Sequence, residues 1–291
     1  MAFYLLPLFI LSTFFVGLIQ EYLSPERIKR SLCNRNTVMS HFLASTFGSL
    51  TPFRAPSTIT LLVRMLKDGV PFGSSMSFLL ASPLINYVAI ILLSILFGWE
   101  VTVVYVIATL IATMIGGIIL EKMGLEEHLK EVTAVGERKL PHREELTTAN
   151  KFEFFKSKTK SVLRFALLFF KDFFPFLMAG MIIGSLLYGF VPENFITWIV
   201  GLDNPLAVPL AALIGAPIYL SLEAMIPIAF TLFQMGMGLG AAIALIIGGS
   251  GISISNFIIL AKLFERKLLV AYGISIIITA TIIGYLFNSL V

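Results

Sequence analysis

The stretch TPFRAPST, Thr51–Thr58, places an arginine between two prolines inside one of the most apolar regions of the chain. An arginine at mid-bilayer costs about 2.5–3.5 kcal/mol on the insertion scale, and proline interrupts helices. Unpaired backbone at membrane depth is tolerated only where protein or a water-filled cavity surrounds it. The stretch therefore predicts a break between two helical arms, with Arg54 at a tip that faces a cavity or a partner.

The composition excludes an ordinary soluble domain. Hydrophobic residues make up 57% of the 291 residues and charged residues only 13%, whereas soluble proteins carry about 25% charged residues. The first apolar run lacks a basic start and a cleavage site, which predicts a retained helix rather than a signal peptide. The apolar runs lie near 3–22, 38–66, 71–98, 101–120, 173–190, 205–235, 241–261 and 269–288.

The two halves of the chain resemble each other. A shift of 167 residues lays FGSLTPFRAPSTITLL on IGAPIYLSLEAMIPIA without a gap. In that register Gly48, Gly69, Gly73 and Gly117 all fall on glycines. An ungapped match of this kind predicts an internal duplication, which is common in transporters.

The basic residues indicate how the two repeats are oriented. If 38–66 and 205–235 are re-entrant helical hairpins, every basic cluster lies in the cytoplasm, as the positive-inside rule requires. The predicted fold is therefore an all-α integral membrane protein of two inverted repeats, each with three spanning helices and one re-entrant hairpin. If all eight runs span instead, a parallel repeat of four plus four helices results. The predicted divisions are 1–120, first membrane repeat; 121–160, cytoplasmic linker; and 161–291, second membrane repeat.

Polar side chains near the predicted helix breaks form a candidate substrate-binding site. Glu223 is the only charged side chain of the second hairpin, and the repeat register places it two positions from the equivalent of Arg54. The two residues form either a structural ion pair or a working site, in which Arg54 attracts an anionic group and Glu223 pairs with it or carries a proton. Ser57 and Thr58 are expected to cap a helix whose N-terminus suits an anion, and Ser221 is their counterpart in the second copy.

A second pair of breaks lies in LLASPLINY (79–87) and IGGSGISISN (247–256). Asn86, Ser253 and Asn256 in these segments either serve close helix packing or line the same cavity with neutral hydrogen-bonding groups. The full candidate set for substrate binding is Arg54, Ser57, Thr58, Asn86, Ser221, Glu223, Ser253 and Asn256.

Other patterns exclude several kinds of site. Cys33 is the only cysteine, so a disulfide framework or a multi-thiolate metal site is excluded. His41 is expected to cap or pack near the interface rather than bind a metal, and His128 and His142 to be solvated in the linker. No Ser/His/Asp, HExxH or paired-carboxylate pattern occurs, so no enzyme activity, metal or cofactor is expected, and no signal indicates nucleic acid.

A long segment of the first half resembles the predicted permease family that includes YraQ-like proteins and the ArsP organoarsenical permeases. The segment reads LTPFRAPSTITLLVRMLKDGVPFGSSMSFLLASPLINYVAIILLSILFGW, and the family has a similar GVPLG…FLLASPL.N run. In the second half, DFFPFLMAGMIIG and GGSGISISNFIILAKLF are similar to the same family. Where the family carries cysteine after Pro-Phe, this chain has Arg54-Ala55-Pro56. The resemblance thus implies a permease, without the thiolates that bind an arsenical.

The sequence therefore predicts a multi-pass permease of the cell membrane that moves a small, anionic solute by alternating access, with proton coupling through Glu223. Its partners are then the solute and the lipid bilayer, and association with further copies of the chain is left open. Two alternatives also stay open: a passive channel of the same fold, and a non-transport scaffold whose 121–160 linker binds a soluble partner.

Overall fold

The computed structural model describes residues 36–50, 55–130, 178–187, 189–190, 192–202, 204–218, 220–252 and 254–290. These residues are helical apart from short connections and one isolated antiparallel bridge between Leu129 and Phe264. The predicted all-α class is confirmed. The first predicted helix, the tip around Arg54 and most of the linker lie outside the described residues.

Four of the predicted apolar runs, 38–66, 71–98, 205–235 and 241–261, each consist of two short helices rather than one long helix. In the first half, Pro83 lies between the third and fourth helices, and Gly98, with a φ of 94°, ends the connection before the fifth. The helices are α1 (Thr37–Leu50), α2 (Ala55–Lys67), α3 (Phe72–Ala81), α4 (Tyr87–Leu96) and α5 (Trp99–Lys122), with a 3-10 turn at Leu125–His128.

Among the described residues, the second half shows two helices before the order of the first half recurs. Those two are α6 (Met178–Leu187) and α7 (Glu193–Val200). The helices that follow are α8 (Ala207–Gly215), α9 (Leu222–Gln234), α10 (Leu239–Gly251), α11 (Ile254–Leu260) and α12 (Arg266–Leu290).

Helix boundaries repeat at the spacing that the sequence predicts. Adding 167 to the first residues of α2, α3, α4 and α5 gives the first residues of α9, α10, α11 and α12. Helices α2 and α9 also end in register and are followed by equivalent glycines, Gly69 and Gly236, with φ angles of 81° and 97°. Such positive φ values favour glycine. These correspondences support the predicted duplication.

Close helix contacts repeat as well. A Cβ atom on Gly48 of α1 would lie 2.6 Å from the carbonyl oxygen of Phe78, and one on Gly215 of α8 would lie 2.7 Å from that of Leu245. Phe78 and Leu245 are themselves equivalent in the register. Small residues of this kind let two membrane helices approach with their backbones in contact. Helices α3 and α10 are buried along their whole length and form the centre of the bundle.

One end of the bundle joins the two long helices. After α5 the chain runs beside the segment that precedes α12, where the Lys130 N–H donates to the Leu263 carbonyl and the Glu265 N–H to the His128 carbonyl, both at 2.9 Å. The end of α5 and the start of α12 are therefore adjacent. Since α5 and α12 also contact each other, they run antiparallel.

Helices α1 and α3 begin at this same end. The hydroxyls of Ser40 and Ser74, near the starts of α1 and α3, lie 2.8 Å apart, and His41 bonds Glu121 in the last turn of α5 at 3.1 Å. Helix α2 ends shortly before α3 begins, so its end lies here too. We call this the basic end, because it holds the described lysine and arginine residues: Arg64, Lys67, Lys122, Lys130, Lys262, Arg266 and Lys267.

The equivalent helices of the second half begin at the opposite end. Asn288, near the end of α12, accepts a hydrogen bond from the Gly240 N–H at the start of α10, at 2.9 Å. The Tyr285 hydroxyl donates to the Pro205 carbonyl just before α8, at 2.6 Å. The starts of α8 and α10 therefore lie where α12 ends.

The outer surface of the two long helices is apolar. Among the described residues, α5 and α12, with 24 and 25 residues, are long and apolar enough to span a bilayer. Each exposes a stripe of aliphatic side chains at every fourth position, as expected for a face in contact with lipid. The stripes are Val103, Ile107, Ile111, Ile115 and Ile119 on α5, and Val270, Ile274, Ile278, Ile282 and Leu286 on α12.

We predict that Gly117→Ala, at the contact of α3 with α5, and Gly284→Ala, at the equivalent contact of α10 with α12, each destabilise the protein. A Cβ on Gly117 would lie 2.6 Å from the Gly73 carbonyl oxygen, and one on Gly284 would lie 2.7 Å from that of Gly240. Overpacking costs about 1–3 kcal/mol, which outweighs a gain of about 1 kcal/mol in helix propensity. Thermal unfolding in detergent should show a lower melting temperature for both variants. Gly189→Ala is the control, because nothing lies within 4 Å of its Cβ position, and equal melting of all three would contradict the prediction.

Candidate functional site

The starts of α4 and α9, which belong to different repeats, meet at Asn86 and Glu223. Asn86 is the N-cap residue of α4, with an extended backbone, and its Oδ1 accepts a hydrogen bond from the Ala89 N–H at 2.8 Å. Its Nδ2 donates to Glu223 Oε1 at 3.0 Å. Because the oxygen of the amide must face the N–H donor, the nitrogen is the atom that faces Glu223.

Glu223 occupies a setting that suits either charge state. It lies in the first turn of α9, where the free N–H groups of a helix favour a negative charge. The amide of Asn86 can donate equally to a carboxylate oxygen or to the carbonyl oxygen of a protonated carboxyl. Within the described ranges no lysine, arginine or histidine lies within ion-pair distance of Glu223. The carboxyl group can therefore change its protonation without losing this contact.

A second polar contact joins α2 to the break between α3 and α4. The hydroxyls of Thr58 and Ser82 lie 3.2 Å apart, and both residues are buried. They border a cavity of about 50 Å³, which Asn256 of α11 also lines. Asn256 Oδ1 is buried and has no hydrogen-bond partner among the described residues. The lining residues are Thr58, Ile59, Leu79, Ser82, Pro83, Asn256, Leu260 and Tyr272.

The predicted capping by Ser57 and Thr58 is wrong. Helix α2 already begins at Ala55, with Pro56 in its first turn, a position that proline tolerates because its missing N–H is not needed there. Thr58 thus lies inside the helix and contacts Ser82. At the equivalent start of α9, Ser221 is the N-cap residue but makes no side-chain cap bond, and its buried Oγ has no partner among the described residues.

The structure brings the candidate residues together in two groups. Asn86 and Glu223 are bonded, and Thr58 and Asn256 line one cavity. Arg54 and Ser253 lie outside the described residues, as does the side chain of Ser57. The pairing of Arg54 with Glu223 therefore stays a prediction.

Sequence reasoning missed two polar groups at the site and a third elsewhere. Ser82 lies in the LLASPLINY segment but is not one of the predicted site residues, and Tyr272, which lines the cavity, has an equivalent in Tyr105. The third is the pair of His41 and Glu121, since Glu121 belongs to α5 rather than to the linker. The sequence does carry a signal for Glu121. It lies four residues after Gly117, so if α5 continues that far, Gly117 and Glu121 lie on the same face of the helix.

Comparison with known proteins identifies the family. Residues 1–289 match the family described as "Predicted permease". The chain belongs to this permease family. The resemblance found in the sequence is thereby confirmed, and the protein is a membrane-embedded helical permease. Membership of a permease family implies a transporter rather than an enzyme.

The curated relatives are distant but extend over most of the chain. The UPF0718 protein MJ0584 of Methanocaldococcus jannaschii is 22% identical, over 88% of this chain and 87% of its own length. The UPF0718 protein YraQ of Escherichia coli is 22% identical, over 92% of this chain and 75% of its own. The UPF0718 protein YcgR of Bacillus subtilis is 24% identical, over 96% and 92%. No solved structure matches the chain.

We predict that Asn86→Asp destabilises the protein at high pH and much less at low pH. Aspartate still caps α4, so the change isolates the contact with Glu223. Two carboxylates about 3 Å apart repel each other, and a proton on either one removes the repulsion. The melting temperature of the variant, measured at pH 8 and pH 5, should approach that of the wild type only at pH 5. Asn194→Asp, on the exposed surface of α7, is the matched control; wild-type melting of Asn86→Asp at both pH values would refute the role of the contact.

Proposed function

We propose that the protein is a secondary transporter that moves a small anion across the cell membrane by alternating access, with a proton carried by Glu223. The observation that carries the proposal is the bond between Asn86 and Glu223, which links the starts of α4 and α9 across the two repeats. Helix breaks that recur in both repeats are the best sequence pointer to a transporter's binding site, and α4 and α9 each begin after one of the two recurring breaks. The bond between Asn86 and Glu223 places a titratable side chain where these two breaks meet.

We propose further that the basic end faces the cytoplasm and that the two repeats are inverted. The antiparallel course of α5 and α12 supports inversion, since the two helices are equivalent in the register. The starts of α1 and α3 at the basic end, and of α8 and α10 at the other end, support one re-entrant hairpin entering from each side. With 14 and 13 residues, α1 and α2 are also too short to span a hydrocarbon core of about 30 Å at 1.5 Å per residue.

An anion fits the proposed site better than a cation. The N-terminal ends of α4 and α9 point their free N–H groups toward the contact of Asn86 with Glu223, and such ends attract negative charge. Arg54, on the predicted tip that precedes α2, would add a cation. A deprotonated Glu223 repels an incoming anion, whereas a protonated one can donate a hydrogen bond to it. Anion and proton would therefore occupy the site together, which couples their transport.

The dense interior favours a transporter over an open pore. Among the described residues, helices α3 and α10 are buried along their length, and the cavity beside Thr58 and Ser82 measures only about 50 Å³, while a larger recess of about 440 Å³ beside Ser185, Thr231 and Gln234 is open to the outside. A permanently open channel needs a continuous aqueous path, whereas alternating access needs a closed centre that opens to one side at a time.

The proposed topology predicts a specific pattern of surface labelling. In a variant with Cys33 replaced by serine, a single cysteine is introduced at Thr37, Asp68, Glu100 or Glu126, which are all exposed. A membrane-impermeant maleimide added to whole cells should label only the cysteine at Glu100, because the other three positions lie at the basic end. If 38–66 spanned the membrane completely, Thr37 and Asp68 would lie on opposite faces and one of them would be labelled.

Uptake into proteoliposomes tests the proposed function itself. We expect the wild type to accumulate at least one of acetate, lactate, phosphate, sulfate and nitrate, faster when the medium is more acidic than the lumen. Arg54→Ala should raise the KM about tenfold or more, since a hydrogen bond to a charged group contributes about 1.5–3 kcal/mol. Glu223→Gln should abolish the acceleration by the proton gradient but leave exchange of the anion.

Glu100→Gln, which removes an exposed carboxylate at the start of α5, is the control and should behave as the wild type. Unchanged uptake by Arg54→Ala would remove Arg54 from the mechanism. No accumulation of any of the five anions by the wild type would contradict the proposed substrate class.

A further inference from the structure

A second titratable pair lies away from the proposed binding site, at the basic end. The side chain of His41 is fully buried, and its Nδ1 lies 2.8 Å from the Ser77 hydroxyl of α3. Its Nε2 lies 3.1 Å from Glu121 Oε2, and the Glu121 side chain is 36% exposed. A buried imidazole is thus linked through a carboxylate to the surface of the molecule.

Buried hydroxyl groups extend this pair along the interface of α1, α3 and α5. Thr113 donates to the Ser45 hydroxyl at 3.3 Å, and the hydroxyl oxygens of Ser75 and Thr109 are buried with no hydrogen-bond partner among the described residues. We refer to the set as the polar column. Its members are Ser40, His41, Ser45, Ser74, Ser75, Ser77, Thr109, Thr113 and Glu121.

The second repeat packs the equivalent helices together with apolar residues at all of these positions except one, Asn288. At the positions equivalent to His41, Ser77 and Thr113 it has Val208, Ala244 and Ala280. Equivalent glycines, such as Gly117 and Gly284, approach the backbone of the neighbouring helix closely in both repeats. The residues equivalent to the polar column, in the same order, are Ala207, Val208, Ala212, Ala241, Ala242, Ala244, Ile276, Ala280 and Asn288.

The polarity of the column is therefore not required by the fold. Two hydroxyls of the column, those of Ser75 and Thr109, are buried without a partner among the described residues, and each such group costs about 1–3 kcal/mol. Polar and ionisable groups inside membrane proteins commonly mark ion pathways and proton relays. Histidine and a carboxylate joined to hydroxyls are the groups that such a relay needs.

The electrostatic surroundings of His41 are simple. Helix α3 presents hydroxyls to the ring, and α5 presents Glu121. Of the described charged residues, Lys122 beside Glu121, and Lys67 and Asp68 before α3, are exposed. Among the described residues, none of these charged groups forms an ion pair with His41 or Glu121 other than the contact between the two.

We propose that His41 and Glu121 form a proton-binding site that exchanges protons with water at the basic end. Glu121 takes a proton from the solvent and passes it to His41 Nε2. The imidazolium then donates from Nε2 to the Glu121 carboxylate and from Nδ1 to the Ser77 hydroxyl, so both N–H groups are satisfied. Loss of the proton returns the neutral ring. That this site supplies the coupling proton rests on the proposed transport function; that it binds a proton does not.

Nuclear magnetic resonance of the histidine rings tests the site directly, without any transported solute. The protein is labelled with ¹⁵N-histidine and reconstituted in lipid nanodiscs, with His128→Gln and His142→Gln removing the other two rings. We expect the His41 nitrogens to change from the neutral to the imidazolium pattern within about pH 5–8. In Glu121→Gln this transition should be lost from that range, whereas Glu121→Asp should retain it.

Glu127→Gln, which removes an exposed carboxylate at the same end, is the matched control and should leave the transition unchanged. The melting temperature of each variant shows that it is folded. A ring that stays neutral from pH 5 to pH 8 in the wild type would overturn the proposal, and so would a transition unaffected by Glu121→Gln. Either result would leave the uptake experiments on Arg54 and Glu223 intact, so the two proposals fail separately.

Discussion

The structure depends on how a helix can be interrupted inside a membrane. Each interruption leaves backbone N–H and carbonyl groups without partners, and no water in the hydrocarbon core can satisfy them. Asn86 solves this problem at the start of α4, because its Oδ1 accepts from the Ala89 N–H. The same side chain still has its amide nitrogen available, and that nitrogen donates to Glu223. A residue that stabilises a helix end thus also joins the two halves of the protein.

The two repeats share a scaffold but differ in polarity. Their closest backbone approaches are made by equivalent glycines, such as Gly48 and Gly215, so the packing geometry is common to both. The contents differ: the hydroxyl contact of Thr58 with Ser82 has as its counterpart an apolar one, in which a Cβ on Gly249 would lie 2.6 Å from the Met225 side chain. Polar groups therefore concentrate in the first repeat, in the contact at the cavity and in the polar column. The same packing geometry thus accommodates a polar interior in one half and a more apolar one in the other.

The sequence predicts the helical class and the positions of most breaks, because prolines, glycines and apolar runs act locally. The ungapped shift of 167 residues anticipates that four helices begin at equivalent positions in the two halves. It does not reveal that Asn86 meets Glu223, since that contact depends on how α4 crosses α9. The predicted start of α2 is wrong because proline is accepted in the first turn of a helix as well as just before the helix. Pro56 alone therefore does not fix where α2 begins. The predicted linker begins at Glu121 because a charged residue directly after an apolar run indicates the end of a spanning helix, whereas α5 continues to Lys122.

The neutral partner of Glu223 has a consequence for coupling. A cation held permanently beside a carboxylate favours its ionised form, whereas an amide donor bonds the ionised and the protonated forms alike. On the proposed mechanism, Arg54 neutralises Glu223 while the site is empty and turns to the anion when one arrives. Glu223 then keeps its bond to Asn86, and a proton replaces Arg54 as the group that neutralises it. When Arg54 changes its partner from Glu223 to the anion, binding of the anion would thereby be tied to binding of the proton. The amide of Asn86 would hold the carboxyl group of Glu223 in place through both states.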